Sequence, residues 1–134
     1  MVYQEYRSLT TARNDVLDIT EQVSQVIAAS GIQNGIVTVE VEAATVGIVR
    51  MQRNGDELRS DLTKEMRRLV PARITFQQEI SPEYTAGNLK SAFFGNSVSS
   101  VVQGGRLLNG QNGMFLLEYD GPAARKYHVC VIGE

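Results

Sequence analysis

The chain has little of several residue types: one cysteine, one histidine, three prolines and no tryptophan among 134 residues. A single cysteine, Cys130, cannot form an internal disulfide, which is typical of proteins kept in the reducing cytoplasm. A single histidine, His128, does not suffice for a histidine-based metal centre or a recognisable Ser–His–Asp arrangement. These scarcities count against disulfide-stabilised proteins and against histidine-rich catalytic sites.

Long apolar runs and an excess of positive charge are also missing. No segment approaches the ~18 apolar residues that a membrane span requires, and the first residues lack the basic start and apolar core of a signal peptide. Thirteen Lys and Arg against fifteen Asp and Glu give a net charge of -2, which disfavours nucleic acid and anionic membranes. We therefore expect a soluble, cytoplasmic protein with neither nucleic acid nor a membrane as its partner.

What is present is the composition of a globular protein, with 43% hydrophobic and 21% charged residues. A chain of this length can bury one sound core. No linker, repeat or low-complexity segment divides it, so we predict a single domain over residues 1–134.

The spacing of apolar residues predicts three strands and one helix in the first half of the chain. Residues 2–9, 35–42 and 45–51 have the composition of strands, and residues 35–42 alternate apolar and polar side chains. Asp18 with Glu21 three residues later has the spacing of a capping box and predicts a helix start. That helix is expected to end at Gly31, because glycine is common just after helices.

The second half of the chain is predicted to contain two more helices and several strands. One helix follows the turn at residues 54–56, carries apolar side chains at helical spacing and ends at Pro71. Residues 74–78 are predicted to form a strand, and residues 85–94 a short helix. Further strands are expected at residues 98–102, 107–108, 114–119 and 127–132. The mixture predicts an α+β fold with a mostly antiparallel sheet or sandwich and about three helices.

Several segments, in order along the chain, resemble the YjbQ-like family, whose members are called secondary thiamine-phosphate synthases. They include Asp-Ile-Thr at residues 18–20, the strand at 35–42, the segment Asn-Leu-Lys-Ser-Ala-Phe-Phe-Gly-Asn-Ser at 88–97, and Asp-Gly-Pro at 120–122. The resemblance covers nearly the whole chain. It implies the family's fold, a homotrimer with sites near the subunit boundaries, and a phosphorylated small molecule as ligand.

The chain departs from this family at positions that carry chemistry. The family's His-Thr-Thr-Ala reads Ala-Ala-Thr-Val here, so Ala43 replaces the histidine and Thr45 is kept. Ala86 and Asn88 occupy the two histidine positions of the family's Asn-Ala-His-Ala-His-Leu-Lys. Alanine and asparagine cannot transfer protons near neutral pH, and alanine cannot bind a metal.

The resemblance also gives a list of candidate site residues. The candidate catalytic residues are Thr45, Asp61, Asn88, Lys90 and Arg125. The other family site positions are Ala43, Gln52, Ala86 and Asn112. We predict a divergent member with a degenerate site, weak or no synthase activity and no cofactor; a divalent metal is an unsupported option. The alternative is a non-catalytic homotrimer that binds a small ligand or serves a structural role.

Three smaller features have ordinary and functional interpretations. His128 and Cys130 face the same side of the last predicted strand, but no third metal ligand is recognisable, so a hydrogen-bonded histidine and a half-buried cysteine are expected. Glu40 and Glu42 share a strand face, for which a solvent or subunit contact is favoured over a cation site. The glycines at 104–105 and 110–113 are expected to form turns; phosphate binding by their backbone N–H groups is the less favoured alternative.

Overall fold

The computed structural model describes residues 1–78 and 80–134, which form eight strands and three helices. The strands are β1 (Val2–Leu9), β2 (Asp15–Asp18), β3 (Asn34–Val41), β4 (Val46–Gln52), β5 (Ser97–Gln103), β6 (Arg106–Leu107), β7 (Asn112–Glu118) and β8 (Ala124–Gly133). The helices are α1 (Thr20–Ser30), α2 (Asp56–Leu69) and α3 (Pro82–Phe94).

The strands form two antiparallel sheets, which confirms the predicted α+β class. The larger sheet has the order β1-β8-β3-β5-β6, and the smaller sheet has the order β2-β7-β4. Among the described residues, no helix is long and apolar enough to cross a bilayer.

The main core lies between the inner faces of the two sheets and helix α1. Alternate residues of the two central strands of the larger sheet are fully buried: Val37 and Val39 in β3, and Val129 and Val131 in β8. This is the burial that a period of two produces when one face of a strand is covered. The intervening side chains form the outer face of the larger sheet.

Strand β7 is buried on both faces. Met114 and Leu116 belong to the main core, whereas Phe115 and Leu117 pack with Met66 of α2 in a second cluster. The continuous apolar run of β7 follows from this double burial. Helix α2 covers the outer face of the smaller sheet, which directs its charged side away from that sheet.

Several predicted boundaries were wrong. Residues 74–78 form turns and bends and not a strand, because three alternating residues have no neighbouring strand to pair with. Strand β2 was missed. Helix α1 begins at Thr20, and α3 begins at Pro82 because Ser81 caps its first turn with a side-chain acceptor.

Candidate anion-binding cavity

A cavity of about 660 Å³ lies between α2, α3 and the loop that joins β1 to β2. Its lining contains five basic side chains and one carboxylate. The basic residues are Arg13, Lys64, Arg67, Arg68 and Lys90, and the acidic residue is Glu83. A chain with a net charge of -2 thus concentrates positive charge in one concave place.

The amphipathic pattern of α2 places three of these cations together. Leu62 and Met66 belong to the apolar cluster on the smaller sheet, so the opposite side of the helix faces outward. Arg67 and Arg68 lie three and four residues after Lys64, the spacing of neighbours on one helix face, and all three line the cavity.

Helix α3 forms the opposite wall. Ser81 Oγ accepts a hydrogen bond from the Tyr84 N–H at 3.1 Å, and Pro82 occupies the first turn, where a missing N–H costs nothing. Ala86 and Lys90, one turn apart, line the cavity. Gly87 brings the helix close to the smaller sheet, because a Cβ at this position would lie 3.1 Å from the Tyr119 Cβ.

Lys90 is the most unusual of the basic residues because only 4% of it is exposed. Its Nζ lies 5.5 Å from the centroid of the Tyr119 ring, a cation–π distance. Burial and the nearby positive charge of Arg67 lower the pKa of the Lys90 ammonium below its ordinary value. An anion that enters the cavity would offset both effects.

Two of the five cations have acidic partners. Arg13 pairs with Asp120, and Arg68 pairs with Glu65 at 2.7 Å. Within residues 1–78 and 80–134, Lys64, Arg67 and Lys90 form no ion pair. The cavity therefore has positive charge that its described neighbours do not neutralise.

Two of the predicted site residues, Arg125 and Thr45, contact each other away from the cavity lining. The Arg125 Nη2 donates to Thr45 Oγ1 at 3.1 Å, and the same guanidinium binds the carboxylate of Glu118, whose side chain is fully buried. Thr10 Oγ1 also donates to Glu118 at 2.7 Å. This network joins β8 to the end of β7.

The remaining predicted site residues do not converge within one chain. Asp61 and Asn88 are exposed and do not line the cavity between α2 and α3. Gln52 and Asn112 are register partners at one end of the β4–β7 pair. Ala43 lines a different, open cavity of about 300 Å³. Of the nine predicted site positions, only Ala86 and Lys90 line the cavity between α2, α3 and the β1–β2 loop (the basic cavity).

The predictions for His128, Cys130 and the glycines at 104–105 agree with the structure. His128 is hydrogen-bonded and Cys130 is half-buried, as predicted. The glycine segment at 104–105 forms a turn between β5 and β6, and none of its residues lines the basic cavity. Glu42 contacts His128.

The family model described as UPF0047 protein YjbQ-like matches residues 4–134. The chain belongs to this family. It is 27% identical to a UPF0047 protein of Methanocaldococcus jannaschii over 97% of this chain and 94% of that protein. It is 30% identical to a UPF0047 protein of Methanothermobacter thermautotrophicus over 98% of this chain and 92% of that protein.

A solved structure supports the same assignment. A YbjQ-like protein of unknown function from Sulfolobus solfataricus superposes with a TM-score of 0.93 at 27% identity, covering 99% of this chain and 97% of that one. The suspected family resemblance is therefore confirmed. UPF0047 relatives share the fold, and their names assign no reaction.

Part of the basic cavity has a local signal in the sequence. Arg67 and Arg68 form an adjacent pair on the predicted second helix, and Lys90 was already a candidate. Arg13 was not singled out, because the approach of the β1–β2 loop to the last turns of α2 is a tertiary contact. Lys64 was also not singled out, although it lies on the same helix as the arginine pair. The local signs were the two arginines one turn before a helix-ending proline and Lys64 one turn before those arginines.

Proposed function

We propose that the chain binds a phosphorylated small molecule in the basic cavity. The observation that carries this proposal is the placement of Lys90, Arg67 and Lys64 around one concave space without an ion-pair partner among the described residues. The cavity volume of about 660 Å³ falls in the range of small-molecule sites.

Charge and burial favour a phosphate group as the part of the ligand that is recognised. Arginine and lysine are the side chains that bind phosphate oxygens, arginine as a planar fork and lysine as a point charge. Lys90 lies deepest, where water screens its charge least. The cost of keeping this ammonium charged in the free protein would decrease when an anion is bound.

The proposal includes weak or absent synthase activity. Thiamine-phosphate formation, the reaction in the name of the family that the sequence resembles, would require proton transfer at the reacting groups. The three positions where that family has histidines hold Ala43, Ala86 and Asn88. Binding alone needs only the cations of the cavity, so we favour a ligand-binding protein in the cytoplasm.

Calorimetric titration with pyrophosphate and with a thiazole phosphate tests this proposal. We expect Lys90→Met and Arg67→Gln to weaken binding tenfold or more, whereas Arg106→Gln, an exposed change outside the cavity, leaves the affinity unchanged. Equal affinity in Lys90→Met and Arg106→Gln would show that the cavity is not the site. Efficient turnover by the native protein in a thiamine-phosphate assay would contradict the proposed weak or absent synthase activity.

Self-assembly into a homotrimer is a second proposal, and an exposed apolar row supports it. Ile36 lies directly opposite Val101 in β5 and Ile132 in β8, and each of the three is at least half exposed on the outer face of the larger sheet. A contiguous exposed apolar patch is typical of an interaction surface.

The proposed occupant of this face is another copy of the chain. The charged residues of the same face, Glu5, Glu42, Arg7 and Lys126, lie at least four residues further along the strands, so a copy seated on the apolar row need not cover them. The family resemblance favours three copies.

A further inference from the structure

We infer that Glu5, Glu42 and His128 form a binding site for a divalent transition metal such as Zn²⁺. The site lies on the outer face of the larger sheet, outside the basic cavity. Each residue offers one ligand atom, and these three atoms all lie within 4.8 Å of one another. A mixed set of one imidazole and two carboxylates matches the donors that zinc accepts.

The register of three neighbouring strands brings the three side chains together. His128 of the central strand β8 is the Cα partner of Glu5 in β1. On its other side, His128 pairs with Glu40 of β3, and Glu42 follows two residues further on the same face. Because Tyr127 and Val129 are buried in the core, His128 must point outward.

The contacts of the imidazole ring leave one nitrogen for a metal. His128 Nε2 lies 2.8 Å from Glu42 Oε2, and Nδ1 lies 2.5 Å from the Tyr3 hydroxyl. Without a metal, the Nε2–H donates to the Glu42 carboxylate, which can only accept. A metal takes the place of that proton, and the neutral ring then keeps its proton on Nδ1 and donates it to the Tyr3 hydroxyl. Metal-binding histidines are commonly held by such a partner on the second ring nitrogen.

The tyrosine also fixes the plane of the imidazole. The Tyr3 and His128 rings are stacked with centroids 5.7 Å apart and an interplanar angle of 15°. A fixed ring direction reduces the entropy lost when the metal binds. Tyr3 lies on β1, the strand that also carries Glu5.

The observed distances require only small adjustments. Zinc binds histidine nitrogen and carboxylate oxygen at about 2.0–2.2 Å, so ligand atoms in a tetrahedral site lie a little over 3 Å apart. The Nε2–Oε2 distance of 2.8 Å must lengthen slightly, and the exposed Glu5 carboxylate must move inward. Both glutamates are exposed, which leaves room for this movement.

The surroundings provide a coordination position that the protein does not fill. Glu42 also lines the open cavity of about 300 Å³, together with Arg7, Ala43, Ala124 and Lys126. Water or an anion in this cavity can complete the metal's shell. Arg7 and Lys126 repel a cation, so the affinity is expected to be lower than at a closed structural zinc site.

Titration of the tag-free, chelator-treated protein with Zn²⁺ tests this inference by calorimetry. We expect one Zn²⁺ per chain, with the affinity falling at least tenfold in His128→Ala and in Glu42→Gln. Tyr3→Phe keeps the ring stack but removes the hydroxyl, and should weaken binding about 10–100-fold. Glu40→Gln is the matched control, because it removes one negative charge beside His128 without removing a ligand; it should bind as the native protein does.

Titration with Co²⁺ identifies the ligand atoms by absorption. Nitrogen and oxygen ligands give d–d bands without a thiolate charge-transfer band, even though Cys130 lies on the same face. A thiolate band that disappears in Cys130→Ser would overturn the assigned ligands. Absence of Zn²⁺ binding, or equal binding by native protein and His128→Ala, would overturn the site itself. The variants alter outer-face side chains, and their unfolding midpoints check that the fold is kept.

Discussion

Arg125 and Glu118 form a bidentate ion pair, with Nε 2.7 Å from Oε1 and Nη2 2.8 Å from Oε2. The Glu118 side chain is fully buried and that of Arg125 is 13% exposed. Both carboxylate oxygens also accept other hydrogen bonds, from Thr10 and from the backbone N–H groups of Tyr119 and Asp120. The guanidinium is thus used to neutralise and fix a buried carboxylate, which argues against a direct role with a ligand.

Replacing Arg125 by methionine should therefore destabilise the fold and leave anion binding intact. The change leaves Glu118 buried without its counter-ion, which costs about 3–5 kcal/mol of unfolding free energy. Urea unfolding measures this loss. The control is Arg68→Met, whose ion pair with Glu65 is solvent-exposed and should contribute little. A stable Arg125→Met protein that no longer binds pyrophosphate would instead assign Arg125 to the ligand.

Lys90→Met should have the opposite effect to Arg125→Met: it should raise the stability of the protein and weaken anion binding. Burial and Arg67 lower the pKa of Lys90 below 10.5, so the folded state disfavours the charged ammonium. Methionine keeps most of the apolar stem and removes that cost. Thermal unfolding near neutral pH should show a raised midpoint, and Lys64→Met, at an exposed position of the same cavity, should show none.

The pH dependence of this stability difference has a defined sign. Between the folded pKa of Lys90 and 10.5, the unfolded chain binds more protons than the folded chain, so native stability rises with pH relative to the variant. The advantage of Lys90→Met should therefore shrink as pH approaches 10.5. A difference that stays constant over this range would mean that Lys90 carries no burial cost.

Helices and strands were predicted well where their own hydrophobic pattern reflects which of their faces are buried. Residues 35–42 alternate because only one face of β3 is buried, and Met114 to Leu117 are continuously apolar because β7 is buried on both faces. Helix α2 was recognisable from its apolar stripe. Strand β2 has four residues and depends on β7 for its pairing, so it has too little pattern of its own.

The candidate sites were less predictable because each combines distant segments. The basic cavity joins Arg13 to Lys90 across 77 positions of sequence, and the outer-face cluster joins Glu5 to His128 across 123. Both depend on register and on helix packing, which local spacing does not encode. His128 was singled out, but with Cys130 as its companion, whereas strand pairing places it opposite Glu5 and Glu40 and its Nε2 contacts Glu42.

Asp18 stabilises the start of α1 through contacts that differ from the predicted capping box. Its Oδ1 accepts from the Thr20 N–H at 2.9 Å, and its Oδ2 accepts from Arg53 Nε at 2.6 Å. Burial raises the pKa of Asp18, but the hydrogen bonds from Thr20 and Arg53 outweigh it and lower the pKa below 3.8. Glu21 contacts Arg53 at 3.4 Å.

Asp18→Ala should therefore lower the unfolding free energy by about 1–2 kcal/mol near neutral pH. Because the folded pKa is depressed, the contribution of the charge is present above 3.8 and is lost as pH falls through the folded value. Urea unfolding at neutral and acidic pH measures both effects. Glu21→Ala is the informative control: a loss as large as that of Asp18→Ala would restore the capping-box interpretation.

The exposed apolar row on the larger sheet makes a prediction about assembly. We expect the native protein to have three times the 14.8 kDa mass of one chain by light scattering. Ile36→Asp should shift it to a smaller species, because a carboxylate would be placed against the apolar side chains of the interface. Ile74→Asp is the matched control, since Ile74 is 94% exposed in a loop outside both sheets. If Ile74→Asp dissociates the assembly and Ile36→Asp does not, the copies meet through another surface. A native protein with the mass of one chain would leave Ile36, Val101 and Ile132 facing solvent and would contradict the trimer.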